Sequence, residues 1–391
     1  MSGPLAGVRV LDLTRVLAGP FCSMLLADLG AEIIKLEHPE RGDDARAFGP
    51  FVADQSVYFQ SLNRGKLGIT LDLGHPKGRG VFHRLLDEVD ILLENFRPGT
   101  MKRWGLDYHE LSDRHPQLIY AACSGFGQTG PYAQKPAYDL IVQAMGGLMS
   151  ITGPAGGPPT RVGASVGDIT AALFTTVGIL SALYERTGSE KGQLVDVAML
   201  DSQVAILENA IARYDATGEV PVPLGNRHPS ITPFSSFPTQ DGQLVIAIGN
   251  DALWKRFCHQ VGHPQLASDR RFITNQERTE NWDELEASLS QVLAQATTAH
   301  WLERLEEAGI PCGPVKDVSE VVCDAQVRSR DMLVHTEEGC AMAGLPIKLS
   351  RTPGHIRGSA PALGQHNQAI WGELVGLSAE ELSWLQRDGI I

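Results

Sequence analysis

Short apolar runs alternate with amphipathic stretches over the first 125 residues. Residues 8–13 form an apolar run that ends before the turn Ala18-Gly19-Pro20. Residues 21–29 then carry helical spacing as far as Gly30, and residues 31–37 form a second apolar run. Further strands are predicted over 68–73, 90–94 and 117–123, and a helix over 77–88. Strands alternating with helices predict a mostly parallel sheet covered on both faces. Ligands of such sheets sit outside the carboxyl ends of the strands. Those ends carry Thr14-Arg15-Val16-Leu17-Ala18, Glu37-His38, Asp72-Leu73 and Asn95-Phe96-Arg97.

The rhythm changes after Gly153-Pro154-Ala155-Gly156-Gly157-Pro158-Pro159, a stretch that interrupts regular structure. Two helical patterns follow, over 169–186 and 195–217, and then Pro221, Pro223, Pro229, Pro233 and Pro238 mark an extended connection. A strand over 244–248 and helices over 283–296 and 298–308 define a smaller domain. The expected division is residues 1–220 as the large domain, completed by 325–391, with 225–324 as the small one. Burial demands that the end segments 345–349 and 379–388 return to the first domain.

A chain of 391 residues with 43% hydrophobic positions exceeds the roughly 250–300 residues that one core organises, in keeping with two domains. Acidic residues outnumber basic ones by 46 to 33, for a net charge of −13. That field repels polyanions, which argues against nucleic acid or an anionic membrane as partner, and any anionic ligand must meet locally placed cations. Met1-Ser2-Gly3-Pro4-Leu5 lacks a basic stretch before an apolar one, so no signal peptide is expected. No run is expected to reach the about 18–20 apolar residues of a membrane helix; residues 169–184 come nearest and contain Thr and Gly. The six cysteines lack a C-x-x-C pair and read as reduced thiols of a cytosolic protein or an organelle matrix, the cytoplasm being the expected setting, and as neither a zinc site nor a disulfide frame.

Most nucleotide and metal motifs are absent. Glu37 imitates the ribose-binding acid of a dinucleotide fold, but no G-x-G-x-x-G follows the first strand. Gly163-Ala164-Ser165-Val166-Gly167 spells the nucleophile elbow G-x-S-x-G. The elbow needs an apolar strand before its serine, and Pro158-Pro159-Thr160-Arg161-Val162 cannot supply a buried one. Asp168 follows immediately, ahead of an apolar helical stretch. A helix N-cap accounts for an aspartate there; the same place favours an ionised carboxylate, which nucleophilic attack on an acyl group requires. His38, Arg41, Arg46, Arg97, Lys102, Arg103 and Lys135 fall at strand ends or loops. Solvated surface is their plain reading, and a phosphate-bearing ligand would recruit some of them. Glu208, Asn209 and Arg213 read as solvent-facing.

These residues lie within blocks that resemble the class III CoA-transferases. The blocks include residues 11–20 and 30–37, Gly42-Asp43-Asp44, Glu94-Asn95-Phe96-Arg97-Pro98-Gly99, and residues 125–131. Ala137-Tyr138-Asp139, Gly167-Asp168 and Val195-Asp196-Val197-Ala198-Met199-Leu200 continue them. The resemblance implies an α/β fold with a Rossmann-like doubly wound large domain and a smaller α+β domain, in an interlocked homodimer. It implies Asp168 as the catalytic nucleophile, and coenzyme A and acyl-CoA as substrates with no permanently bound cofactor and no metal. CoA contacts are implied at Val16, Leu17, Ala18, His38, Leu71, Asp72, Asn95, Phe96, Arg97, Arg103, Lys135, Ala137, Tyr138 and Asp139. His38 stands where the formyl-CoA branch has arginine, which leaves Arg41 as a substitute phosphate contact, and Gly249-Asn250-Asp251 stands where that branch has a glycine run. Related α-methylacyl-CoA racemases use a histidine base where this chain has Tyr138, and tyrosine is a poor base near neutral pH. Residues 13–21 and 149–154 look like the succinyl-CoA:dicarboxylate branch, while Arg161-Val162-Gly163 and residues 224–229 also resemble acetyl-CoA:oxalate transferases. The expected reaction is CoA transfer from an acyl-CoA donor, succinyl-CoA first, to a small carboxylate acceptor, a dicarboxylate before others, through an aspartyl-CoA thioester. Acetyl-CoA:oxalate or formyl-CoA:oxalate transfer is the alternative, ahead of a racemase or a non-catalytic CoA-binding protein.

Overall fold

A computed structural model describes residues 3–335 and 340–391. The chain divides into two compact units, one of residues 1–148, 161–212 and 325–391, the other of residues 149–160 and 213–324.

The larger unit is built on six strands: β1 (Arg9–Asp12), β2 (Glu32–Glu37), β3 (Leu67–Thr70), β4 (Ile91–Glu94), β5 (Ile119–Ser124) and β6 (Leu194–Ala198). Their order is β3-β2-β1-β4-β5-β6, and every neighbouring pair is parallel. The order reverses between β1 and β4, so the crevice outside their carboxyl ends is where this topology binds ligands. Helix α1 (Ala18–Asp28) follows β1, α2 (Val57–Asn63) precedes β3, and α3 (Pro76–Leu86) links β3 to β4. Short α4 (Thr100–Trp104), α5 (Asp139–Met145), the long α6 (Val166–Ser189) and α7 (Met199–Ala205) complete the frame.

Alternation along the strands sorts side chains to the two faces. Val10, Ile33, Ile91 and Leu93 meet Leu26 of α1 and Ala172, Ile179 and Ala182 of α6. Leu11, Ile34, Ile69 and Leu92 meet Phe82, Leu85 and Leu86 of α3, together with Trp371, Leu382 and Leu385 near the chain end. The last residues are stitched in: Asp72 N–H donates to the Ile390 carbonyl at 2.8 Å, and Leu345 packs with Met24, Leu25 and Leu29.

Two local expectations fail. The helix expected over 195–217 begins as β6, because Val195 and Val197 alternate with Asp196 and pair in register with Ala121, Ala122 and Cys123 of β5. Only from Met199 is the segment helical, and it is broken again before the Ala210–Thr217 helix. Moreover α6 has 24 residues and a mean hydropathy of 1.7 in its most apolar window, enough to cross a membrane by length and composition. One face of α6 packs on the sheet; the other exposes Leu173, Phe174, Val177 and Tyr184.

The smaller unit has an antiparallel sheet in the order Cys312–Pro314, Gln243–Ala247, Phe234–Pro238. Helices Asp251–Gln260, Trp282–Leu293 and Thr298–Glu307 cover it, with Trp254, Phe257, Leu285, Leu289 and Leu305 packed on Phe237, Leu244 and Ile246.

Candidate active site

A cavity of about 390 Å³ opens at the carboxyl ends of β1 to β4. Its wall carries His38, Leu71, Asp72, Phe96 and Arg97, five of the residues expected to hold CoA, with Arg15, Arg41, Gly42, Thr100 and Trp104 beside them. Leu71 is 1% exposed, so it offers a ligand little surface. Phe96 is held by Trp104 edge-on at 5.5 Å and by the Arg15 guanidinium at 5.5 Å. An adjoining recess is lined by Val16, Arg41, Asp43, Arg46, Phe48 and Tyr138. Arg41 faces both spaces, so a cation is present beside His38.

Asn95 acts on the neighbouring loop: its Oδ1 accepts from Arg15 N–H at 2.9 Å and its Nδ2 donates to the Arg15 carbonyl at 2.8 Å. Leu17 is the N-cap of α1 without a side-chain cap, and buried Ala18 is the first helical residue. Ala137 fits against Gly125, where an added Cβ would lie 2.4 Å from that of Ala137. Lys135 Nζ stacks 3.7 Å over the Tyr132 ring. Arg103 bonds Thr100 Oγ1 at 3.1 Å and stays exposed; it does not line the cavity.

Asp168 sits in the first turn of α6. It is not the cap, which is Ser165. Asp139, the first residue of α5, reaches across to this turn: its Oδ1 accepts Gly167 N–H at 2.8 Å, and its Oδ2 accepts Gln143 Nε2 at 2.7 Å. Gly167 permits the approach, since a Cβ there would stand 2.9 Å from Asp139 Oδ1 and 2.8 Å from Val142. Burial, and then the Asp139 charge, push the Asp168 carboxyl up to about 7. The helix-end argument for a fully ionised carboxylate is therefore outweighed: desolvation disfavours the charged form more than the helix N-terminus favours it. Burial of Tyr58 on α2, and then the charges of Asp168, Asp43 and Asp139, push its phenol up to about 12.

Two competing readings lose their support here. No strand precedes Ser165, as an elbow serine requires. Glu37 is committed to Arg46, which it accepts through both oxygens at 2.8 and 2.6 Å, and to Asp43 N–H at 2.9 Å. Cys123, the thiol close to Asp168, is buried and pushed up to about 12, which leaves it a poor nucleophile. Sequence reading places Arg15 only within the strand-end segment 14–18 and does not reach Tyr58 or Trp104. Nothing local marks those two aromatics, which join the site only once α2 and α4 converge on it.

Residues 5–367 match the sequence signature of CoA-transferase family III. The chain is 46% identical to the acetyl-CoA:oxalate CoA-transferase of Acetobacter aceti over 97% of each protein. It is 40% identical to the succinate–glutarate CoA-transferase of Agrobacterium fabrum, over 95% of this chain and 96% of that one. Among solved structures, a CAIB/BAIF family protein from Brucella suis superposes with a TM-score of 0.85 at 38% identity, covering 96% of this chain and all of that one. The chain belongs to CoA-transferase family III. It is a CoA-transferase enzyme with a mixed α/β fold around a parallel sheet.

Proposed function

We propose that the chain moves CoA from a small acyl-CoA donor, succinyl-CoA first, to a small dicarboxylate, with Asp168 as covalent nucleophile. The observation that carries the reading is Asp168 itself: a half-buried carboxylate at a helix start, beside a second acid. In the ionised form its oxygen attacks the thioester carbonyl, the C–S bond breaks, and a mixed anhydride and CoA thiolate result. The thiolate attacks the aspartyl carbonyl of that anhydride and the donor leaves as its carboxylate. The acceptor carboxylate then attacks the aspartyl thioester, expelling thiolate and forming a second anhydride. Thiolate attack at the acceptor's acyl carbon returns Asp168 and releases the new acyl-CoA. Thioester is exchanged for thioester, so no ATP is consumed, and water has to be kept from the acyl intermediates.

The phosphates and nucleotide of CoA are assigned to the cavity bearing His38, Arg41 and Arg97, where arginine forks suit phosphate. Val16, Leu17 and Ala18, with Tyr138 and Asp139, are assigned to the end nearer Asp168, and Lys135 and Arg103 to its rim. Tyr138 is 74% exposed and is no histidine, which favours transfer over α-proton exchange. The relative from Acetobacter aceti supports a second reading, acetyl-CoA with oxalate. Exposed Leu173, Phe174, Val177 and Tyr184 on α6 support a homodimer that covers them, and buried free thiols at Cys22, Cys123 and Cys258 suit a cytoplasmic setting. Incubating the enzyme with succinyl-CoA, acetyl-CoA and formyl-CoA against a panel of dicarboxylates, read by mass spectrometry, tests the assignment. Exchange with monocarboxylates alone would overturn it.

A further inference from the structure

Val16 has φ +68°, a conformation that is a true outlier for a β-branched side chain. Such strain costs free energy and persists only where the surroundings over-determine it. Here they do. Val16 N–H donates to Asp43 Oδ1 at 3.0 Å, and the same oxygen accepts Ala45 N–H at 2.9 Å. The other carboxylate oxygen accepts Lys35 Nζ at 2.9 Å, and that ammonium also donates to the Thr14 carbonyl at 2.9 Å. Neither charged side chain has any exposed surface. The pair thus grips the peptide chain on both sides of Arg15, whose own N–H and carbonyl are held by Asn95.

A buried ion pair is weak evidence for stability in itself, because desolvation consumes much of its Coulombic gain. Its value here is geometric. β1 ends at Asp12 and α1 begins at Ala18, and the chain must reverse between them with Val16 turned into the recess that also holds Asp43 and Tyr138. Without the grip, valine would relax to φ below zero and move the peptide planes of Val16 and Leu17.

We propose that Lys35 and Asp43 are positioning residues for the acyl-CoA site: they hold Val16 in the left-handed conformation in which its backbone meets CoA. The inference rests on the reading of Val16 as a CoA contact. The ordinary alternative is that the pair only ties β2 to the loop at 43–45.

The test is CoA affinity by calorimetry, with KM and kcat for acyl-CoA, on the full-length enzyme. Lys35→Met/Asp43→Ala removes both charges together, so no unpaired ion is left buried. It is expected to weaken CoA binding about tenfold, equivalent to about 1.4 kcal/mol, and to raise KM for each donor with a smaller change in kcat. Adding Val16→Gly should bring affinity back to within about threefold of wild type, since glycine adopts positive φ without help. A merely structural pair would show no such rescue. Should the double variant fail to fold, Lys35→Met/Asp43→Asn, which keeps the size of the Asp43 side chain and also leaves no unpaired ion, reads the same rescue with and without Val16→Gly. Unaltered CoA affinity in the clamp variant, or a defect that Val16→Gly does not relieve, overturns the proposal. Wild-type protein that binds no CoA would instead remove the reading on which it stands.

Discussion

Asp139 Oδ1 accepts the Gly167 N–H at 2.8 Å, one peptide before Asp168. An acid on α5 therefore satisfies a free N–H at the start of α6 while placing negative charge beside the acid that has to ionise there. Burial and that neighbour together leave Asp168 titrating at about 7.

The first consequence is kinetic. The kcat/KM profile should show an acid limb near pH 7, because only the ionised carboxylate attacks and this parameter reports free-enzyme ionisations. Asp139→Asn, which keeps an acceptor for Gly167 N–H, should move that limb to lower pH by removing the charge; burial remains, so the shift is partial. A limb left in place would assign the raised value to desolvation alone.

The second consequence is thermodynamic. Between the ordinary carboxylate range and about 7 the folded state binds more protons at Asp168 than the unfolded chain does, so its contribution to stability falls as pH rises through that window. Asp168→Asn abolishes the loss. Its Tm advantage over wild type should grow from pH 4 to pH 7 and level off above; a constant difference across that range would contradict the sign.

Arg97 lines the main cavity and Arg103 does not. Charge-assisted hydrogen bonds contribute about 1.5–3 kcal/mol each. Arg97→Ala should therefore raise KM on the order of tenfold to a hundredfold for all acyl-CoA donors alike, with a smaller effect from Arg103→Ala. Steady-state kinetics with two donors and two acceptors checks both; an effect limited to one acceptor would place Arg97 in the wrong subsite.

Lys66 and Asp12 form a second ion pair with no exposed surface, at 3.0 Å, beneath the β1–α1 turn. Lys66→Met strands the Asp12 charge and should cost about 3–5 kcal/mol in denaturant unfolding. A loss under about 1 kcal/mol would mean that Ser23 and Thr14, which also bond Asp12, compensate on their own.

Much of this was readable along the chain. The strands over 8–13, 31–37 and 90–94 announced themselves because buried parallel strands are short apolar runs, and β1, β2 and β4 fall within them. β6 was hidden because Asp196 breaks its apolar run and a helix follows at once from Met199. At the site, a helix starting close to Asp168 was legible, although it begins at Val166, two residues before the aspartate; the protonation of Asp168 was not, because burial, and then the charge of Asp139 on α5, arise only in the fold. The strain at Val16 was likewise invisible, since only the fold joins Asp43 and Lys35 to it.

The central claim is a covalent bond to Asp168, and trapping it is the direct measurement. Enzyme mixed with acyl-CoA, quenched with hydroxylamine and digested, should yield a hydroxamate on the peptide at Asp168 by mass spectrometry, and Asp168→Asn should yield none while still binding CoA. A label on Ser165, or undiminished transfer by Asp168→Asn, would contradict the mechanism.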